Sequence, residues 1–112
     1  MDDIKAYTRE LKALQRDYLN ILPERLNNIS TLHQSLIEGS GTTETLNNFI
    51  FEIHKLAGSA AMFGLENVSK AARGMEILMT DFDGDPESLS SSLVSELEKL
   101  FQTLRESVPG ED

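Results

Sequence analysis

Residues 43–64, TETLNNFIFEIHKLAGSAAMFG, decide the predicted fold. Their apolar residues recur at steps of three and four, the spacing that places side chains on one face of an α-helix. Thr42 or Thr43 can cap the start of this helix, and Gly64 is well placed to end it in a left-handed turn. The stretch therefore predicts one amphipathic helix with a buried face, which comprises Leu46, Phe49, Ile50, Ile53, Leu56, Ala57, Ala60 and Phe63.

Two helical segments are predicted before this stretch, and residues 39–41, GSG, end the second of them. Pro23 lies between the two segments, where it either kinks a continuous helix or occupies the first turn of a new one. The Leu-Pro-Glu context favours a new helix. The two buried faces are formed by Ile4, Tyr7, Leu11, Leu14, Tyr18 and Ile21, and then by Leu26, Ile29, Leu32 and Leu36.

Two more helical segments are predicted after residue 64. The first, residues 68–79, carries its apolar residues on one side. The second begins at Asp85-Pro86-Glu87, which is typical of a helix start, with a capping aspartate, a proline in the first turn and a glutamate near the positive end of the dipole. Its buried face comprises Leu89, Leu93, Leu97, Leu100, Leu104 and Val108.

Five amphipathic segments joined by short loops predict an all-α fold, an antiparallel four-helix bundle with an additional N-terminal helix. We expect the last four segments to form the bundle and the first to cover one end. Residues 1–112 have the size of one domain with one core. Met1 and the short tail favour a free-standing protein.

The composition excludes several classes of function. The absence of cysteine rules out disulfides, thiolate metal sites and cysteine nucleophiles. A formal net charge of −9 argues against nucleic acid or an anionic membrane as the main partner. No apolar run approaches the roughly 20 residues that span a bilayer, and the acidic start is not typical of a signal peptide. We therefore expect a cytoplasmic monomer.

The acidic loop at residues 81–85, DFDGD, raises the question of a calcium site. Asp81, Asp83 and Asp85 match the first three ligand positions of an EF-hand loop. Pro86 and Ser92, however, stand where that loop needs its glycine and its glutamate. We interpret the loop as a solvated turn and expect no metal site.

The two histidines, His33 and His54, lie on different predicted helices and lack acidic or histidine neighbours at metal-ligand spacing. His33 lies beside the apolar stripe of its helix, and we interpret it as an ordinary boundary residue without a chemical role. His54 lies about 100° from the centre of the core face of its helix. Its ring should therefore be at least partly exposed.

Small residues follow His54 along the helix. Gly58 and Ala61 lie one and two turns further on the same strip, and a glycine inside a helix costs about 1 kcal/mol relative to alanine. Close approach by another protein would explain this glycine, and so would close helix packing. Phe51 and Met62 point further toward solvent, where apolar side chains are stabilised only if something covers them.

An exposed imidazole on such a surface suggests phosphoryl chemistry. Neutral imidazole is a nucleophile that can attack phosphorus and give a phosphoramidate. The sequence offers no nucleotide-binding loop, metal cage or second acid, so a partner would have to supply the phosphoryl donor. The spacing is equally compatible with an ordinary surface histidine.

Residues 54–65, HKLAGSAAMFGL, resemble the signature of the histidine phosphotransfer (HPt) family. That signature reads His-x-Leu-x-Gly-Ser/Ala, followed by a small residue, an aromatic residue, Gly and Leu. Residues 22–26 resemble an earlier helix of the family. The similarity continues through the next helix at Val68, Ala72, Arg73, Met75 and Glu76.

The resemblance implies that His54 accepts a phosphoryl group on Nε2, from the phospho-aspartate of a response-regulator receiver domain or from a sensor histidine kinase. Gly58 would leave room for the phosphorylated ring and its partner. The receiver would bring Mg²⁺, so we expect no cofactor in this chain and no autonomous catalysis. The docking surface would be lined by Phe51, Lys55, Gly58, Ala61 and Met62.

The chain departs from the family at Ala57, where many members carry a lysine that can neutralise the phosphoryl group. Lys55 follows His54 directly and points about 100° away from it, so it is a poor replacement. Lys70 or Arg73 of the following helix could serve instead. Arg73 could equally pair with Glu76, three residues on.

The alternative function belongs to a different class, a helical adaptor or regulator that is never phosphorylated. Such a bundle would bind a signalling partner through Phe51 and Met62. Replacing His54 by Gln separates the two functions, since phosphotransfer should vanish in the first and binding should survive in the second.

Overall fold

The computed structural model describes the backbone of residues 2–109 and the side chains of residues 5–109. The expectations that involve Met1, the side chain of Ile4 and residues 110–112 lie outside the described residues. Every helix or strand found in the described range is an α-helix, which confirms the predicted all-α bundle. The helices are α1 (Asp2–Ile37), α2 (Thr43–Met62), α3 (Glu66–Thr80) and α4 (Ser91–Ser107).

The prediction that a new helix begins at Pro23 is wrong, because α1 runs through this residue without a break. A proline inside a helix removes one backbone hydrogen bond and crowds the preceding turn, at a cost of about 3 kcal/mol. Leu22 and Ile29, on either side of Pro23, are 0% and 1% exposed, whereas Pro23 itself lies on the solvent side. Packing of the flanking residues on one continuous helix offsets the cost. The predicted additional helix is therefore the first half of α1.

We expected the first half of α1 to cover one end of the bundle. This expectation is wrong, because the first half of α1 extends past the bundle. Tyr7, Leu11 and Leu14 of its apolar stripe are 66%, 41% and 52% exposed. Along the described side chains of α1, Tyr18 is the first buried residue, and its ring stacks on Phe63 with 4.8 Å between the ring centroids. The bundle therefore begins near residue 18.

Helices α2 and α3 form an antiparallel hairpin whose ends match the sequence signals. The Thr42 side chain caps α2 by accepting a hydrogen bond from the Thr45 backbone N–H at 3.1 Å. At the other end Gly64 adopts a left-handed φ of 77°, and the Leu65 N–H donates to the Ala60 carbonyl at 2.8 Å. The turn leads directly into α3, which packs along α2.

Helix α4 begins later than predicted, because Asp85-Pro86-Glu87 forms a separate turn. The Asp85 carboxylate accepts a hydrogen bond from the Glu87 N–H at 2.9 Å, while Pro86 is buried. Ser90 caps α4 instead, by accepting a hydrogen bond from the Leu93 N–H at 3.1 Å. An aspartate before proline can stabilise a turn as well as cap a helix, so the local sequence did not decide between a turn and a helix start.

The interpretation of His33 as a boundary residue is also wrong. Its side chain is buried where α1 meets α4, and its ring stacks on Phe101 with 4.7 Å between the centroids. The Arg105 guanidinium lies 4.6 Å from the same Phe101 ring and donates to Ser30 of α1 at 3.1 Å. Nε2 of His33 has no hydrogen-bond partner among the described residues, and burial lowers the pKa of this ring.

The whole core lies between the second half of α1 and the other three helices. Its largest fully buried side chains are Leu22, Ile29, Leu36, Phe49, Ile53, Leu56, Val68, Met75, Met79, Leu97 and Leu104.

Candidate functional site

His54 lies on the solvent side of α2, as the spacing predicted, with a side chain that is 68% exposed. The residues that fix this turn of the helix are buried. Ile53 and Leu56 are both 0% exposed and belong to the core. A rigid helix thus presents the imidazole to solvent.

Glu76 of α3 orients the exposed ring. Its Oε2 lies 2.5 Å from Nδ1 of His54, and its side chain is 19% exposed, so the carboxylate is mostly covered. A carboxylate can only accept a hydrogen bond, so the proton lies on Nδ1 and Nε2 of the neutral ring keeps its lone pair. The site therefore offers a nucleophilic nitrogen on the side of the ring that faces away from Glu76.

The packing of α3 against α2 brings Glu76 to this position. Ala72, Met75 and Met79 of α3 are buried in the core. Two turns before Glu76, the Ser69 hydroxyl donates to the Ala57 carbonyl of α2 at 2.8 Å. This hydrogen bond and the core contacts fix the register of the two helices, and with it the pairing of Glu76 with His54.

Gly58 leaves open space beside the ring. A Cβ built on Gly58 would meet no atom within 4 Å, apart from the helix's own neighbouring backbone. Ala61, further along the same strip, is exposed. Close packing within this chain therefore does not explain the glycine, although it was one of the two reasons considered from the sequence.

Exposed apolar side chains surround this part of the surface. Phe51 and Met62, both expected from the sequence, are 58% and 74% exposed. Ile77, which follows Glu76 on α3, is 57% exposed and was not identified from the sequence. An isoleucine outside the apolar stripe of its helix was the signal that could have revealed it.

The three candidate residues with positive charge lie in different places. Lys55 is held on the α1 side of α2, where its Nζ lies 3.2 Å from Glu52 Oε1 and 4.8 Å from the Phe51 ring centroid. Arg25 lines the same groove between α1 and α2. Lys70 lines a groove between α3 and α4. Arg73 lies on α3, one turn before Glu76, and is exposed.

The pairing of Arg73 with Glu76 that the sequence allowed is not observed. Glu76 bonds to His54 instead, and Arg73 makes no ion pair with any residue of the described range. Apart from the family resemblance, the sequence identified Glu76 only as a possible partner for Arg73. Its contact with His54 joins residues on two helices, so helical spacing could not reveal it.

The described residues contain no group of three or more His, Cys, Asp or Glu side chains that could hold a metal ion. None of the helices in the described part of the chain is long and apolar enough to cross a membrane.

Comparison with known proteins gives one match. The family model described as the Hpt domain matches residues 13–107. This range includes His54, Glu76 and the whole of α2, α3 and α4, and it begins within the exposed half of α1. The chain matches no curated protein and no solved structure.

Proposed function

The chain belongs to the Hpt domain family, whose members are phosphocarrier modules of phosphorelays, and on this basis we propose that His54 carries the phosphoryl group. The family implies interaction with kinases and response regulators. The observation that carries the proposal is the exposed ring of His54, whose Nδ1 bonds to Glu76 at 2.5 Å and whose Nε2 is directed outward.

The proposed reaction transfers phosphorus between two side chains. Nε2 of His54 attacks the phosphorus of a receiver's aspartyl phosphate, an N–P bond forms, and the P–O bond breaks as the aspartate carboxylate leaves with the electron pair. The Nδ1 proton stays in the hydrogen bond to Glu76, whose negative charge stabilises the positive charge that the ring gains. The reverse reaction returns the group to an aspartate.

A receiver domain is the proposed partner at this surface. The exposed side chains of Phe51, Met62 and Ile77 offer apolar contacts, and Gly58 and Ala61 allow close approach to the ring. The receiver would supply the Mg²⁺ that its aspartyl phosphate requires. This chain would then need no metal of its own and would have no autonomous turnover of nucleotide or phosphoester.

Incubation with phosphorylated receiver domains, or with a sensor kinase and ATP, tests the proposal. We expect an acid-labile and alkali-stable label on this chain, which is the behaviour of a phosphoramidate. The His54→Gln variant should acquire no label, and because the ring is exposed it should fold normally. A label that survives this substitution would refute the role of His54. Partner binding without any label on the wild-type chain would instead support the adaptor function.

A further inference from the structure

A phosphoryl group on His54 would enter an electrostatically unfavourable environment. The bound group carries close to two negative charges near neutral pH. Glu76 already contacts the ring, and the whole chain has a formal net charge of −9. Like charges at such a site repel each other even across water. A positive charge close to Nε2 would offset this repulsion.

The structure separates the candidate positive charges by position. Lys55 already pairs with Glu52, and with Arg25 it faces the groove toward α1, on the flank of α2 opposite to α3. Lys70 lines the groove between α3 and α4 together with Leu100 and Thr103. Lys55 and Arg25 therefore lie on the far flank of α2, and Lys70 lies on the side of α3 that faces α4, away from His54.

Arg73 differs from them in position and in partners. Helix α3 runs antiparallel to α2, so the turn before Glu76 lies opposite the turn that follows His54. That turn of α2 carries Gly58, where a Cβ would meet nothing within 4 Å, and Ala61 lies one turn further. Arg73 is exposed, and no ion pair holds it within the described range. Its side chain can therefore extend over these small residues toward the ring.

We infer that Arg73 binds the phosphoryl oxygens of phosphorylated His54. Glu76 holds the ring from its Nδ1 side, and Arg73 neutralises the group on Nε2 through the planar, bidentate geometry that guanidinium offers to phosphate. Gly58 then has a second role besides admitting a partner, because a side chain there would obstruct the guanidinium. The inference rests on the proposed function of His54.

A small-molecule donor tests the inference without a partner protein. Phosphoramidate transfers its phosphoryl group to histidine: an N–P bond to Nε2 forms, the donor's own P–N bond breaks, and ammonia leaves. ³¹P NMR then measures the pH midpoint at which the bound phosphoryl group changes from dianion to monoanion. The measurement is made on the wild-type chain, on Arg73→Gln and on Lys70→Gln. Lys70→Gln is the matched control, since it removes the same charge from the same helix one turn earlier, on the side that faces α4.

An adjacent guanidinium favours the dianion and lowers this midpoint. We expect Arg73→Gln to raise it by about half a pH unit and Lys70→Gln to change it much less. Arg73→Lys should keep part of the wild-type value. Raising the salt concentration should reduce the difference between the wild-type chain and Arg73→Gln.

A negative result for Arg73 can be distinguished from a negative result for His54. If His54 is phosphorylated and both Gln variants have equal midpoints, Arg73 has no such role while the proposed function stands. If the wild-type chain gains no phosphohistidine signal beyond that of His54→Gln, the proposed function fails and this inference fails with it.

Discussion

The two histidines differ in what surrounds each imidazole ring. The His54 side chain is 68% exposed and bonds to a carboxylate, so its second nitrogen is open to solvent. His33 is 7% exposed and lies against Phe101, with no hydrogen-bond partner for Nε2 in the described residues. The first environment suits a nucleophile, whereas the second makes the charged form of the ring unfavourable.

Replacing Glu76 by Gln should slow the phosphorylation of His54 by about fivefold, the effect of roughly 1 kcal/mol on a barrier. A glutamine side chain can donate or accept, so it no longer holds the proton on Nδ1, and it removes the charge that stabilises the phosphorylated ring. The initial rate of labelling from phosphoramidate or from a receiver measures the effect. Glu52→Gln, two residues before His54 and on the opposite flank of α2, is the control and should label at the wild-type rate. Equal rates for both variants would argue against a role for Glu76.

His33 should make the stability of the fold depend on pH. Burial lowers the pKa of this ring in the folded chain below the ordinary value of 6.5, so the unfolded chain takes up its proton at higher pH. The stabilisation is complete above 6.5 and is lost as the pH falls from there toward the folded-state pKa. Urea unfolding at pH 7.5 and 5.5 should therefore show a larger loss for the wild-type chain than for His33→Phe. An equally large loss in His33→Phe would contradict the prediction.

At the scale of a helix, α2 combines a well-packed face with an unusually open one. Phe49, Ile53 and Leu56 are each 0% exposed, while the opposite strip contains Gly58, where an added Cβ would meet nothing beyond its own helix. A glycine there destabilises the helix without improving any internal contact. The open strip is therefore better explained by what the helix binds than by how it folds.

Gly58→Ala and Gly74→Ala form a matched pair that tests this explanation. Gly74 lies inside α3, and a Cβ there would make only an ordinary 3.6 Å contact with Leu100. Each substitution should stabilise its helix by up to about 1 kcal/mol and raise the melting temperature by about 4 °C. Only Gly58→Ala should slow phosphotransfer from a receiver domain. Unchanged transfer in both variants would show that the open space at Gly58 is not used.

At the scale of the whole molecule, α1 makes the protein elongated. The radius of gyration is 16.0 Å, compared with roughly 13 Å for a compact domain of this length, and the longest dimension is 57 Å. A helix of 36 residues is about 54 Å long, so α1 alone accounts for this dimension. The described side chains before residue 15 are exposed throughout, and the family match begins at residue 13.

Deleting residues 1–12 should leave the bundle intact. Gln15, which donates to the Phe63 carbonyl at 2.7 Å, remains in the shortened chain. We expect the melting temperature to change by no more than about 3 °C, the labelling of His54 to persist, and the radius of gyration from X-ray scattering to approach that of a compact domain. A large loss of stability would show that the exposed half of α1 supports the bundle.

The sequence alone determined the local features of this protein. Apolar spacing predicted the helices, Thr42 and Gly64 marked the ends of α2, and the angle of His54 from the core face predicted its exposure. These features depend on residues within one or two helical turns of each other, whose relative positions are fixed once the helix forms. The resemblance to the HPt family was visible for the same reason, because its signature lies within one continuous stretch.

Only the tertiary structure decided the features that depend on packing between elements. Pro23 was compatible with one helix or two, and burial of its neighbours selected one. Asp85 could cap a helix or stabilise a turn, and the structure shows a turn. Burial of His33 and the contact between Glu76 and His54 both require two helices to meet in a particular register. That register is set by many small contacts along the whole core, and no local pattern encodes it.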